Sequence, residues 1–151
     1  MPAETVELRV PARAEYLALV RLLVADLARG HSGINGERLD DLRLAVSEAC
    51  ANAVEAYLRL GRPEASVVVR CIATRDRLTV EIHDEAGGFD LNALEPHPPV
   101  TDPARLRHER GLGIPLMRAL ADEAEIAPHE GGTRVRLVFN GRRAPATTRV
   151  S

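Results

Sequence analysis

The sequence predicts an α+β fold: a two-layer α/β sandwich with a mixed, mainly antiparallel sheet and its helices on one face. Three observations lead there. The elements run strand, helix, helix, two strands, loop, helix, two strands, an order that places most strands in hairpins. The chain has 151 residues, 45% of them hydrophobic, which suits one compact domain with a real core. Apolar residues recur at helical spacing in some stretches and alternate with polar ones in others.

Thr5 to Val10 alternate in polarity as an edge strand does, and Pro11 ends them. From Ala14 to Ala28 the residues Leu17, Val20, Val24 and Leu27 recur at helical spacing, and Gly30 closes the run. After the polar connection HSGING a longer helix runs from about Glu37 to Leu60. Its core stripe is Leu42, Val46, Ala49, Ala53 and Ala56, and Gly61 with Pro63 stops it. Ser66 to Thr74 and Arg77 to His83 form a hairpin around Arg75 and Asp76. The stretch 91–110 contains Pro96, Pro98, Pro99 and Pro103, lacks sustained periodicity, and reads as a long loop with at most a short helical turn, of the kind that is either functional or disordered. A third helix starts near Leu112 and continues to about Asp122, with Pro115 in its first turn. Two strands, Ala124 to Pro128 and Thr133 to Phe139, joined by Glu130-Gly131-Gly132, complete the sheet. The domain thus covers 1–140, and the polar stretch 141–151 is a disordered tail.

All 20 basic residues are arginine, against 22 acidic ones, for a net charge of -2. A nucleic-acid surface would need a clustered basic excess, so no direct nucleic-acid contact is expected. With no lysine in the chain, any phosphate held by a cationic side chain is held by arginine, whose planar fork binds oxygens in pairs. Cys50 and Cys71 fall in apolar stretches and read as buried small hydrophobes. The N-terminus has no apolar signal core, and no stretch approaches the roughly 18 apolar residues of a membrane span. A cytoplasmic protein with no membrane contact is expected.

Three short motifs carry chemistry. In Ser47-Glu48-Ala49-Cys50-Ala51-Asn52-Ala53 a spacing of four sets Glu48 and Asn52 one above the other on a helix, at the border of its apolar stripe. Asn52 can supply a Mg²⁺ ligand, and Glu48 can orient or deprotonate a hydroxyl or water. Taken singly, such a pair is more often a solvated helix edge. In Asp84-Glu85-Ala86-Gly87-Gly88-Phe89 an acid stands at a strand end beside flexible backbone, fit to accept a hydrogen bond from an exocyclic amine; alone, this is usually a turn. In His108-Glu109-Arg110-Gly111-Leu112-Gly113 a glycine-rich segment opens a helix, where unpaired N–H groups and the positive dipole end favour phosphate. Arg110 can add a charge-assisted bond to a terminal phosphate. A glycine N-cap is the plainer alternative.

Together and in this order, the motifs resemble those of the GHKL ATPase superfamily: LAVSEACANAV its N box, DEAGGFD its G1 box, and ERGLGIPLM its G2 box after an ATP lid at about 91–110. The opening ELRVPARAEYLALVRLLVADL and the late GGTRVRL are similar to the anti-sigma-factor serine kinases within that group. The resemblance implies a regulator that binds ATP and Mg²⁺, phosphorylates a serine or threonine on an antagonist protein, and sequesters a sigma factor. It implies Glu48 as general base, Asn52 as Mg²⁺ ligand, Asp84 as acceptor of the adenine amine and Gly88 in the base pocket. Gly111 and Gly113 would wrap the phosphates, Arg110 would stand by the γ-phosphate, Thr133 near the adenine, and Arg21 at the protein partners. A homodimer, formed through the first strand or the exposed sheet face, is a further implication. Where the family has the first glycine of G1 this chain has Ala86, whose methyl would crowd the adenine or shift the backbone. A protein-binding module without kinase activity is therefore the alternative.

Overall fold

The structure, a computed structural model, describes residues 3–62, 64–85 and 113–141. The expected lid at 91–110, the positions Ala86, Gly88, Arg110 and Gly111, and the tail from 142 onward lie outside the described residues. The described chain forms strands β1 (Glu4–Pro11), β2 (Ser66–Thr74), β3 (Arg77–Asp84), β4 (Glu123–His129) and β5 (Gly132–Asn140), with helices α1 (Leu17–His31), α2 (Glu37–Arg59) and α3 (Gly113–Leu120). The sheet order is β1-β2-β3-β5-β4. All four pairings are antiparallel, so the parallel component allowed for by the sequence is absent from the described sheet. The two hairpins supply two pairings, and the helical connections return β2 to β1 and β5 to β3 in the opposite direction.

Alternation decides which face is buried. Val67, Val69, Cys71 and Ala73 on β2, Leu78, Val80 and Ile82 on β3, and Val135, Leu137 and Phe139 on β5 point into one core. All three helices cover that face. α2 lies in the middle, over β3 and β5, with α1 on one side above β2 and α3 on the other beside β4. The stripe of α2 is Leu39, Leu42, Ala45, Val46, Ala49, Cys50, Ala53, Val54 and Tyr57. The expected stripe thus ends on Tyr57 rather than Ala56, which is half-buried, and on α1 Leu17 is half-buried while Ala25 and Ala28 join the core. Both cysteines are buried and free, as expected, and burial pushes their thiols up to about 12.

The ends of the elements follow local rules. The Ser32 hydroxyl at the close of α1 is shared between the carbonyls of Thr74 (2.8 Å) and Arg77 (3.0 Å), which pins α1 to the β2–β3 hairpin. Between β4 and β5 a two-residue turn places Glu130 and Gly131 at φ 45° and 81°, the positive values that match strand twist in a tight hairpin. α3 ends at Leu120, two residues short of the expected Asp122. Asp122 has turned to bind β5: its backbone N–H reaches the Val138 carbonyl at 2.9 Å, and its carboxylate accepts the Asn140 N–H at 2.8 Å.

The outer face of the sheet is polar. Register aligns Glu7, Arg70, Glu81, Arg136 and Glu125 in one row across all five strands, with charge alternating at every step. Glu81 is buried within this row, 3.9 Å from both Arg70 and Arg136 and 3.1 Å from His83 Nε2.

Candidate functional site

The helical spacing of Glu48 and Asn52 survives folding. Both are half-buried on α2, one turn apart, on the side where α3 packs. Gly113, buried at the start of α3, sits against them: a Cβ placed on it would stand 2.8 Å from Glu48 Oε1 and 3.3 Å from Asn52 Nδ2. Glycine is required here for closeness, since the backbone carries no positive φ. The first turn of α3, with its unpaired N–H groups, therefore abuts a carboxylate and an amide.

At the other end of the site, Asp84 closes β3 directly opposite Thr133 on β5. Asp84 continues the parity of Val80 and Ile82, so its side chain belongs to the face that carries the helices; Thr133 is buried beside it. The chain leaves β3 under the C-terminal part of α2. There the Glu85 N–H donates to the Tyr57 hydroxyl at 2.6 Å, and Arg62 Nη1 donates to the Glu85 carbonyl at 3.0 Å. Burial is the main cause that raises the Tyr57 pKa, with the neighbouring charges of Asp84 and Glu85 adding to it, so the phenol is neutral at physiological pH. At 1.5 Å per residue, Asn52 and Glu48 lie about 8 and 14 Å back along α2 from Tyr57. One helix thus spans both ends of an elongated site, with Asp84 and Thr133 at one end and Glu48, Asn52 and Gly113 at the other.

Four of the seven motif residues, Glu48, Asn52, Asp84 and Gly113, are joined by Thr133 around α2, whereas Gly88, Arg110 and Gly111 lie outside the described residues. Arg21 stands apart. It is half-buried on α1 and donates through Nη1 to the Ser47 hydroxyl at 3.3 Å, one residue before Glu48.

The histidine kinase-like ATPase domain model matches residues 10–139, a span that contains every element of the site. The chain belongs to the histidine kinase-like ATPase family. Among its members, this ATPase-family chain is similar to the serine-protein kinase RsbW of Bacillus subtilis, 36% identical over 154 aligned positions that cover 98% of this chain and 94% of the relative. The serine-protein kinase RsbW of Bacillus pumilus is 35% identical over 144 positions, covering 92% and 88%. Among solved structures, the RsbU and RsbW domains of a Mycobacterium tuberculosis protein superpose with a TM-score of 0.61 at 21% identity. That match covers 90% of this chain and 31% of the longer one, and it shows the shared fold.

Sequence reasoning missed Tyr57, Arg62 and Arg38. Arg38 donates to the Leu120 carbonyl (2.7 Å), to Asp41 (3.0 Å) and to Asp122 (2.7 Å), and its guanidinium lies 5.0 Å from the Phe139 ring centroid. It fastens the C-terminal end of α3 to the beginning of α2. An aromatic with a polar tip, at the margin of an apolar stripe, was the available signal for Tyr57; Arg38 offered none.

The donor set suits Mg²⁺. Among the described residues no cluster of three or more His, Cys, Asp or Glu side chains could cage a metal. Mg²⁺ normally takes few protein ligands and completes its shell with water and substrate phosphates, so an amide oxygen beside a carboxylate is an appropriate contribution. No helix among the described residues is long and apolar enough to cross a membrane.

Proposed function

We propose that the protein is an ATP-dependent serine/threonine-protein kinase acting as an anti-sigma factor. It phosphorylates a serine or threonine of an antagonist protein and, in the alternative engagement, sequesters a sigma factor. One observation carries the reading: Glu48 and Asn52, midway along α2, lie against the first residue of α3, while the cross-strand pair Asp84 and Thr133 lies by the C-terminal part of the same helix, where Glu85 bonds Tyr57. In this reading the adenine amine donates to Asp84 next to Thr133, with Gly88 lining the base pocket. The phosphates lie at the start of α3, wrapped by Gly111 and Gly113, with Arg110 at the γ-phosphate. Glu48 accepts the proton of the attacking hydroxyl, and Asn52 is the ligand to Mg²⁺, which neutralises phosphate charge when bound. The names of the RsbW relatives support serine phosphorylation, and their length matches this chain. Arg21, flanked on α1 by the exposed Leu19 and Leu22, supports a protein partner at that helix. The same proposal places the protein in the cytoplasm as a homodimer.

Calorimetric titration with ATP and Mg²⁺ tests the site, with Asn52→Ala alongside. Binding by the wild type that is lost or sharply weakened in the variant is the expected result; equal binding by both would remove Asn52 from the site. Ala86 favours a second reading, a partner-binding module without kinase activity. Sequestration of a sigma factor at full strength by Glu48→Ala, with no phosphate transfer by the wild type to its antagonist, would decide for that module.

A further inference from the structure

The peptide that joins Asp84 to Glu85 is held from several sides. Its N–H donates to the Tyr57 hydroxyl at 2.6 Å. Its carbonyl lies against Gly132 so closely that a side chain at 132 would collide with backbone: an added Cβ would stand 2.6 Å from Glu85 Cα. The next carbonyl, of Glu85, accepts from Arg62 at 3.0 Å, and the Arg62 guanidinium lies 5.6 Å from the centre of the Tyr57 ring. On its other side Asp84 is fixed by pairing with Thr133. Tyr57 is 2% exposed and anchored in the core of α2, so the phenol is a rigid acceptor.

We infer that Tyr57, with Arg62 stacked on it, is a positioning residue that sets the base selectivity of the nucleotide site by fixing the Asp84–Glu85 peptide, and hence the direction of the Asp84 carboxylate. This rests on the reading of Asp84 as the group that receives the adenine amine. The orientation of that peptide fixes ψ of Asp84, and ψ decides how the Cα–Cβ bond leaves the strand relative to the chain that follows. Without the phenolic acceptor the strand end gains freedom, and the carboxylate no longer meets the amine at a single angle. Hydrogen bonds discriminate sharply only where the site's own group is held in place. α2 would then carry three roles along one helix: base positioning at Tyr57, metal ligation at Asn52 and proton acceptance at Glu48.

The test compares ATP with ITP, which presents an oxygen where adenine carries the amine. Affinities for both, with Mg²⁺ present, are measured for the wild type and Tyr57→Phe. The variant removes one oxygen and keeps the packed ring. The wild type is expected to prefer ATP, and the ratio of the two affinities should fall about five-fold in Tyr57→Phe, which corresponds to one hydrogen bond of about 1 kcal/mol. A wild type that binds both equally would overturn the adenine reading and this inference with it. A wild-type preference kept in full by Tyr57→Phe would overturn the inference alone, as would equal weakening of both nucleotides, the mark of a merely structural role. Arg62→Met, changed at an exposed position, gives the same comparison if Tyr57→Phe fails to fold; an unaltered ratio there would count against the inference equally.

Discussion

Replacing Gly113 by alanine tests the packing of α3 on α2 at a single carbon. The new Cβ would stand 2.8 Å from Glu48 Oε1, roughly 0.7 Å inside ordinary contact distance, and 3.3 Å from Asn52 Nδ2. The obstructing atoms are the ends of side chains, so they can give way where backbone could not. Turning Glu48 off its rotamer costs about 1 kcal/mol. At the first residue of a helix alanine recovers only part of the interior propensity gain, so net stability should fall by no more than about 1 kcal/mol. Activity should not be spared. Displacing the proposed base by an ångström lowers transfer by roughly 100-fold, because reacting groups tolerate little misplacement. Thermal melts should therefore agree within about 4 °C, while single-turnover phosphate transfer to the antagonist collapses. Gly113→Ala with transfer within two-fold of the wild type would refute the proposal that the turn against Glu48 and Asn52 binds the phosphates.

Two further outcomes follow from groups outside that contact. Arg38→Ala removes the side-chain donor of the Leu120 carbonyl and the arginine partner of Asp122, whose carboxylate keeps the Asn140 N–H, so the urea midpoint should drop by an amount equivalent to about 1 kcal/mol, and Arg38→Lys should restore little, since an ammonium cannot reproduce the planar fork. The cysteines give an alkaline signature: their folded thiols lie at about 12 against an ordinary 9.0, so the unfolded chain loses these protons first as pH rises. The stability they contribute is complete below pH 9 and is lost as pH climbs towards 12, and at pH 8 Ellman's reagent should label Cys50 and Cys71 only at the rate of unfolding. Rapid labelling of the native protein would contradict their burial.

What the sequence disclosed depended on how far apart the interacting groups lie along the chain. Glu48 and Asn52 share one helix face by spacing alone, so their juxtaposition was legible from four residues. The hairpins were legible for the same reason, because tight turns constrain residue type locally, although the second turn is shorter than the expected Glu130-Gly131-Gly132: Gly132 already pairs with His129 and belongs to β5. The pairing of Asp84 with Thr133 depends on strand register across a long connection, and only the family resemblance suggested that both serve one base. Tyr57 bonds a residue 28 positions away, Arg62 one 23 away, and Arg38 one 82 away, and each bond goes to a backbone group that leaves no mark in residue identity. The same applies to the end of α3: its apolar pattern permits another half turn, but the capture of Asp122 by β5 stops it at Leu120.

Register itself has a source that no single strand displays. Alternation of apolar and polar residues forbids a slip of one position, because every side chain would change face, but a slip of two keeps all faces unchanged. The row Glu7, Arg70, Glu81, Arg136, Glu125 distinguishes those two-residue slips: moving β2 by two positions along β3 would take Arg70 off Glu81 and set it against Thr79 or His83. Exposed ion pairs add little stability individually, so the row acts chiefly by excluding wrong pairings. Glu81 is its most demanding member, buried between two arginines that a neutral side chain would leave facing one another across β3. The outer face thereby fixes the alignment that, on the inner face, brings Asp84 opposite Thr133.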